Sequence, residues 1–209
     1  MSRRFAEIAF TPAVKNQQTL HGSRAQYARV ESSGNSGATL GPAEQAFVQA
    51  RDGFYMASVS ETGWPYIQFR GGPKGFLHVL DDHTLAFADL RGNTQYISTG
   101  NLLQDDRVAL FLMDYANQAR LKILGHAAIH EGTQEAQQWI DRLTIPEKGA
   151  RPERAMIIRV EALDWNCQQH ITPRFTEEEI TGILAPVRQR LAALEEENAR
   201  LRSQLTNKA

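Results

Sequence analysis

The chain has 209 residues, 42% hydrophobic, 22% charged and 8% aromatic, which fits one globular domain with appendages and excludes a disordered or collagenous chain. Lys+Arg 23 against Asp+Glu 24 leaves a formal net charge of −1, so no global positive field is available to hold a nucleic-acid backbone or an anionic membrane. The only cysteine, Cys167, excludes an internal disulfide framework and multi-cysteine metal sites, and no apolar run is long enough to span a bilayer or form a signal-peptide core. The expectation is a cytoplasmic protein with neither a nucleic-acid nor a membrane partner.

Residues 1–41 read as an extended N-terminal arm, because apolar periodicity is weak and the stretch from Glu31 to Gly41 is rich in breakers. Pro42 suits a first helical position, and Ala43, Ala46, Phe47 and Ala50 follow at helical spacing, so a short helix opens the body. From Gly53 the pattern turns β-like: Phe54–Ser60, Tyr66–Arg70, Gly75–Leu80, Thr84–Ala88, Arg107–Tyr115, Leu121–His130 and Ala155–Ala162 are short runs separated by turn signals. A helical segment, Thr133–Leu143, precedes the last of them. Six or seven short strands at this spacing predict a mainly β fold, an antiparallel barrel or sandwich with flanking helices.

The final segment, 176–209, is the most regular. Thr176 and Glu179 form a capping box, and Leu184, Leu191, Asn198 and Leu205 at a positions alternate with Val187, Leu194 and Leu201 at d. In a parallel pair Arg190 faces Glu195 and Glu197 faces Arg202 across the seam, while Asn198 fixes register and two-strandedness. This heptad helix is a candidate dimeric coiled coil. Pro186 predicts a kink or break, which leaves Val187–Leu205, a length marginal alone in water. An amphipathic helix folded back on its own barrel is the alternative.

Familiar catalytic patterns are absent. There is no His-Glu-x-x-His, no Gly-x-Ser-x-Gly and no phosphate-loop Lys-Ser/Thr after Gly71-Gly-Pro-Lys-Gly75. The six histidines are scattered, so no metal site is expected. Two stretches concentrate polar, glycine and cationic residues instead. In Trp64–Lys74, Gln68 and Arg70 alternate with Phe69 before two glycines that would let a ligand approach the backbone. In Ala88–Tyr96, followed by Ser98–Asn101, Arg91, Asn93, Thr94 and Gln95 have the composition to wrap a phosphate. A plain polar hairpin explains the second stretch equally well.

The runs Gly63-Trp-Pro-Tyr-Ile-Gln, Gly75-Phe-Leu-His-Val-Leu, Leu85-Ala-Phe-Ala-Asp-Leu-Arg-Gly-Asn-Thr-Gln-Tyr-Ile-Ser-Thr-Gly-Asn-Leu and Ala109-Leu-Phe-Leu-Met-Asp occur in this order. Together they resemble the pyridoxamine 5′-phosphate oxidase-like, FMN-binding split-barrel family. The similarity is strongest to an uncharacterised branch that also carries Arg120-Leu-Lys-Ile-Leu-Gly-His and Asp164-Trp-Asn-Cys-Gln-Gln-His170. The resemblance implies a six-stranded Greek-key split barrel over 42–175, a homodimer, and FMN between subunits. It assigns Gln68, Phe69 and Arg70 to the strand beside the flavin; if Arg70 points at the ring, its charge would stabilise the reduced, anionic form. Asp89, Arg91, Gly92, Asn93, Thr94 and Gln95 fall in the phosphate loop. The oxidase proper has an Arg-Lys pair where this chain has Thr94 and Gln95, which leaves phosphate charge to Arg91 and Lys74. Trp165, Asn166 and His170 match a segment offered by the other subunit.

The oxidase's closing arginine-containing strand ending in Leu-x-Pro is missing, so pyridoxamine 5′-phosphate is not the expected substrate. What the resemblance implies is a flavin-dependent oxidoreductase acting on a small molecule, with a non-catalytic flavin or tetrapyrrole binding module as the rival.

Overall fold

In the computed structural model, which describes residues 2–32, 34, 36–145, 149–165 and 169–206, the alternating runs become seven strands. These are β1 (Gly53–Val59), β2 (Pro65–Gly71), β3 (His78–Asp81), β4 (Thr84–Leu90), β5 (Arg107–Asp114), β6 (Ala119–His130) and β7 (Pro152–Trp165). All pairings are antiparallel, in one sheet of order β2-β1-β5-β6-β7-β4-β3. The mainly β architecture is as expected, with seven strands in place of six. The short β3 begins at His78 rather than Gly75, because Phe76 N–H closes a turn onto the Pro73 carbonyl at 2.9 Å.

Curvature follows from which side chains meet. β2 and β4 stand far apart in the strand order, yet Arg70 of β2 bonds Asp89 of β4, and Phe54 of β1 meets Phe87 of β4 with ring centroids 5.5 Å apart. The sheet therefore curls until its ends face each other, which is the split-barrel arrangement. Inside it, Phe54 and Met56 of β1, Leu110 and Leu112 of β5, and Leu121 and Ile123 of β6 are buried at alternate positions, the period that points every second side chain inward. Each contributes about 1.5–3 kcal/mol by leaving water. At Gly125 the β6–β7 register shifts, and a Cβ there would sit 2.4 Å from the Arg159 carbonyl oxygen, so only glycine lets the two backbones approach.

β4 is buried on both faces. Its inner face meets the barrel core, while Ala86 and Ala88 join Ile140 and Leu143 of α6 (Gln134–Leu143) in a second apolar cluster. Thr133 Oγ1 caps α6 by accepting from Ala136 N–H at 3.1 Å. Before the barrel, α4 (Pro42–Gln49) starts with proline at its first turn, as expected.

The N-terminal arm is helical, not extended: α1 (Arg3–Ala9), α2 (Pro12–Leu20) and α3 (Arg24–Glu31) occupy most of it. Helices this short are marginal on their own and leave little periodicity to read; tertiary contacts supply what propensity lacks. Phe5 and Ala6 are buried, Ser2 Oγ donates to the Leu163 carbonyl at 2.6 Å, and Arg4 pairs with Glu161. The arm and the sheet belong to one compact unit.

A second unit comprises residues 115–117 and 172–209. Here the Arg174 guanidinium lies over the Tyr115 ring at 5.0 Å, and α7 (Glu177–Thr206) carries the heptad pattern. Its capping box is formed as read: Thr176 N–H donates to Glu179 at 2.8 Å and Glu179 N–H donates to Thr176 Oγ1 at 3.2 Å. The helix continues through Pro186 without a break, and none of its residues is buried. Among the described residues no helix is long and apolar enough to cross a membrane.

Candidate functional site

The two polar stretches converge. β2 contributes Gln68, Phe69 and Arg70, and the end of β4 with its following loop contributes Asp89, Arg91, Gly92, Asn93, Thr94 and Gln95 to one concave pocket of about 800 Å³, counting the space that opens to solvent. Nine of the expected binding residues therefore line one cavity.

Asp89 organises the floor. It lies at the end of an apolar strand, 3% exposed, where an unpaired carboxylate would be prohibitively costly. Two guanidinium groups offset that cost: Arg70 Nη1 donates to Oδ1 at 2.5 Å, and Arg154 Nη1 donates to Oδ2 at 3.1 Å. Arg154 stands opposite Asp89 in the β4–β7 register. It also donates to Glu131 at 2.8 Å and to Glu153 at 3.0 Å, and lies over the Tyr96 ring at 5.0 Å. Burial opposes its charge, but the hydrogen bonds to Glu131 and Asp89 outweigh that effect and hold its pKa above the ordinary arginine value. The pocket lining carries three guanidinium groups (Arg70, Arg91 and Arg154), which Asp89 and Glu153 of the lining and Glu131 behind Arg154 balance in charge. Of the three, Arg91 is the most exposed.

Arg70 holds a further clue. Its Nε–H is buried without a hydrogen-bond partner among the described residues, although Nη1 donates to Asp89. A buried donor left unpaired costs about 1–3 kcal/mol. An acceptor on a bound ligand would recover it.

On the β2 side, Ser98 Oγ donates to Gln68 Oε1 at 3.1 Å, which occupies the amide's carbonyl end and leaves its NH2 group as the donor for a ligand. Ser98 and Asn101 belong to α5 (Ile97–Leu102), a helix that local sequence does not predict. Ile-Ser-Thr-Gly-Asn-Leu is poor in helix formers, and tertiary anchoring holds it: Asn101 Nδ2 donates to buried Ser58 Oγ of β1 at 3.0 Å. The loop between β4 and α5 is strained. Thr94 and Tyr96 have φ of 60° and 53°, a left-handed conformation that is costly for β-branched threonine in particular. Asn93 Oδ1 supports it by accepting from Gln95 N–H at 3.2 Å. Arg91, half exposed, pairs with Glu153 at 3.5 Å.

The glycines after β2 have another purpose than the one expected. A Cβ on Gly71 would stand 2.8 Å from the Phe69 ring, and one on Gly72 would stand 2.8 Å from Phe76, so these positions make room for the chain's own aromatic rings. Gly53 of β1 does the same more strictly, with a Cβ only 2.3 Å from Phe69 Cζ. Phe69 thus lies flat over two backbone glycines, against Tyr55, while its outer surface stays exposed. Trp64, just before β2, and Ile67 and Phe69 on its outward face are 74%, 63% and 57% exposed, and of the three Phe69 lines the pocket.

Three expected residues do not line the pocket of their own chain. Lys74 is on the exposed turn before β3, and His170 is exposed with φ of 64°. Trp165 closes β7, where its indole N–H donates to Glu44 at 2.6 Å and its ring packs edge-on to Phe47. Asn166 lies outside the described residues. Sequence reasoning missed Arg154, Glu153, Tyr96 and Ser98. For Arg154 a signal existed: an aspartate inside Leu85-Ala-Phe-Ala-Asp89 needs a buried cation, and a strand-flanking arginine is the natural source. None of the described arm residues lines the pocket, and among the described residues no cluster could hold a metal ion.

Residues 40–167 match the family model described as pyridoxamine 5′-phosphate oxidase. No curated protein matches the chain. Among solved structures, a variant of HupZ from Group A Streptococcus is similar at 15% identity, covering 61% of this chain and 99% of that one with a TM-score of 0.48. A candidate pyridoxamine 5′-phosphate oxidase from Lactobacillus delbrueckii is similar at 20% identity, 61% and 94% coverage and a TM-score of 0.48. An FMN-binding protein from Syntrophomonas wolfei is similar at 11% identity, 71% and 97% coverage and a TM-score of 0.44.

Proposed function

The chain belongs to the pyridoxamine 5′-phosphate oxidase family, and from that premise we propose that it binds FMN in the pocket between β2 and β4 and serves as a flavin-dependent oxidoreductase on a small molecule. The observation that carries the reading is the unpartnered, buried Nε–H of Arg70 in a pocket lined by three guanidinium groups. A flavin's carbonyl-rich ring and its phosphate are acceptors of the kind this lining needs. Bound flavin supplies hydride and electron transfer.

The chain's own residues bind and orient. Arg70 and the Gln68 amide would hold the ring, and Arg91, Asn93, Thr94 and Gln95 the phosphate. Asp89 holds Arg70 in place and keeps its charge at the pocket wall, where exclusion of water strengthens it. Both pocket carboxylates are engaged by arginines, so neither is placed as a general acid or base. Such a site leaves the chemistry to its cofactor.

The working unit in this proposal is a homodimer. Trp64, Ile67 and Phe69 are exposed on and next to the edge strand β2, and Phe69 lines the pocket; a second copy covering them would exclude water from the flavin and bring its Trp165, Asn166 and His170 segment near it. The visible spectrum of the purified protein, with denaturation to release any chromophore, tests the cofactor: a flavin spectrum and released FMN are expected. Anaerobic mixing with NADH or NADPH, followed by reoxidation, tests the activity. Bound FMN that no donor reduces at a useful rate would leave a binding module.

A further inference from the structure

The heptad face of α7 is built and empty-handed. Ile180, Leu184, Val187, Leu191, Leu194, Leu201 and Leu205 are 38–71% exposed on a continuous helix, and no residue of that helix is buried. Continuity through Pro186 extends the seam beyond what the sequence allowed, because Leu184 at a and Ile180 at d now belong to the same helix as the leucines downstream. Pro186 falls at a c position, on the face away from the seam, so its ring and its missing N–H leave the apolar stripe intact.

We propose that α7 pairs with α7 of a second copy of this chain as a parallel, in-register, two-stranded coiled coil. Charge complementarity selects the occupant. In that register Arg190 at g faces Glu195 at e of the other copy and Glu197 faces Arg202, so all the flanking charge pairs downstream of Val187 are attractive. The reversed orientation also offers attractive pairs, Arg190 with Glu197 and Arg188 with Glu195. Asn198 decides between the two. Antiparallel packing sets its amide against Val187, a buried polar group with an apolar partner, whereas parallel packing sets Asn198 against Asn198, where each amide satisfies the other. In the single chain the Asn198 carbonyl accepts from Arg202 Nε at 2.8 Å, a local bond that pairing exchanges for Asn198–Asn198 and Arg202–Glu197 contacts between copies. The inference needs no flavin and is independent of the barrel face covered in the preceding proposal.

Cysteine probes in the full-length chain test it, with Cys167→Ser as background so that each variant carries one thiol. Leu201→Cys, at the seam, is expected to form a disulfide-linked dimer under mild oxidation at least tenfold faster than Ser203→Cys on the opposite face. Equal rates, or a faster Ser203→Cys, overturn the pairing; slow Leu201→Cys with fast cross-linking in an equimolar mixture of Leu184→Cys and Leu201→Cys chains overturns the parallel orientation. Sedimentation of Leu194→Glu/Leu201→Glu supplies the second readout. Its dimer is expected to dissociate at protein concentrations at least tenfold higher than wild type with unchanged FMN titration, and unchanged dissociation overturns the proposal whatever the flavin does.

Discussion

The two strands that frame the pocket are built in opposite ways. β4 is buried on both faces, fixed by β7 and by α6, and its one charged residue inside the fold is satisfied by two arginines. β2 pairs on one side only and turns Ile67 and Phe69 outward. One wall is finished within the chain; the other presents the surface that a ligand and a second copy would complete. Substitutions on the β4 wall should therefore change folding stability, and substitutions on the β2 wall should change binding and association while the fold is kept.

The largest effect is expected at Asp89. Asp89→Asn leaves two guanidinium groups facing a neutral amide inside the fold and should cost about 3 kcal/mol or more in urea unfolding. On the other wall, Phe69→Ala should cost less than about 1 kcal/mol, since the ring is 57% exposed. The same substitution should weaken FMN binding and dimer formation together, as read by fluorescence titration and sedimentation. A Phe69→Ala more destabilising than Asp89→Asn would break the comparison.

Thr94→Gly sharpens it at the loop that joins the walls. Removing the Cβ at φ 60° relieves about 1 kcal/mol of strain. Its melting temperature should rise slightly while FMN affinity falls, because the loop loses its preset shape. A fall in stability would mean that the left-handed Thr94 is not strained.

The smallest effect concerns the arm. The Arg4 hydrogen bonds hold the Glu161 carboxyl below the usual carboxylate range, so the pairing contributes stability above the unfolded-state pKa and loses it as pH falls through the folded one. Wild type should melt slightly above Glu161→Gln at pH 7, and the difference should begin to shrink as pH falls below the unfolded glutamate reference of about 4.3 and vanish only below the lower value of the folded carboxyl. A gap that persists at low pH would show that charge is not what docks the arm.

How much of this was legible follows the same division. Period-two runs such as Phe54–Met56 and Leu110–Leu112 announced the barrel because burial on one face writes alternation directly into sequence. The helix α6 and the capping box at Thr176 were equally plain. The arm was not, because α1, α2 and α3 are short, and α1 draws its support from Leu163 and Glu161, far away in sequence. α5 was missed for the same reason, its Asn101 anchored to Ser58. Within the site, the residues of β2 and the β4 loop were named from local composition and from a resemblance, whereas Asp89 signals only that some cation must face it, and the register identifies that cation as Arg154. Local chemistry shows which residues are unusual; cross-strand pairing shows which of them are neighbours.

The most direct measurement is a fluorescence titration of FMN into wild type and Arg70→Met, monitored alongside thermal unfolding. Saturable quenching by wild type, with affinity reduced at least tenfold in a folded Arg70→Met, is the predicted result. Equal affinity in the two proteins, or no binding by wild type, would contradict a flavin site organised around Arg70 and Asp89.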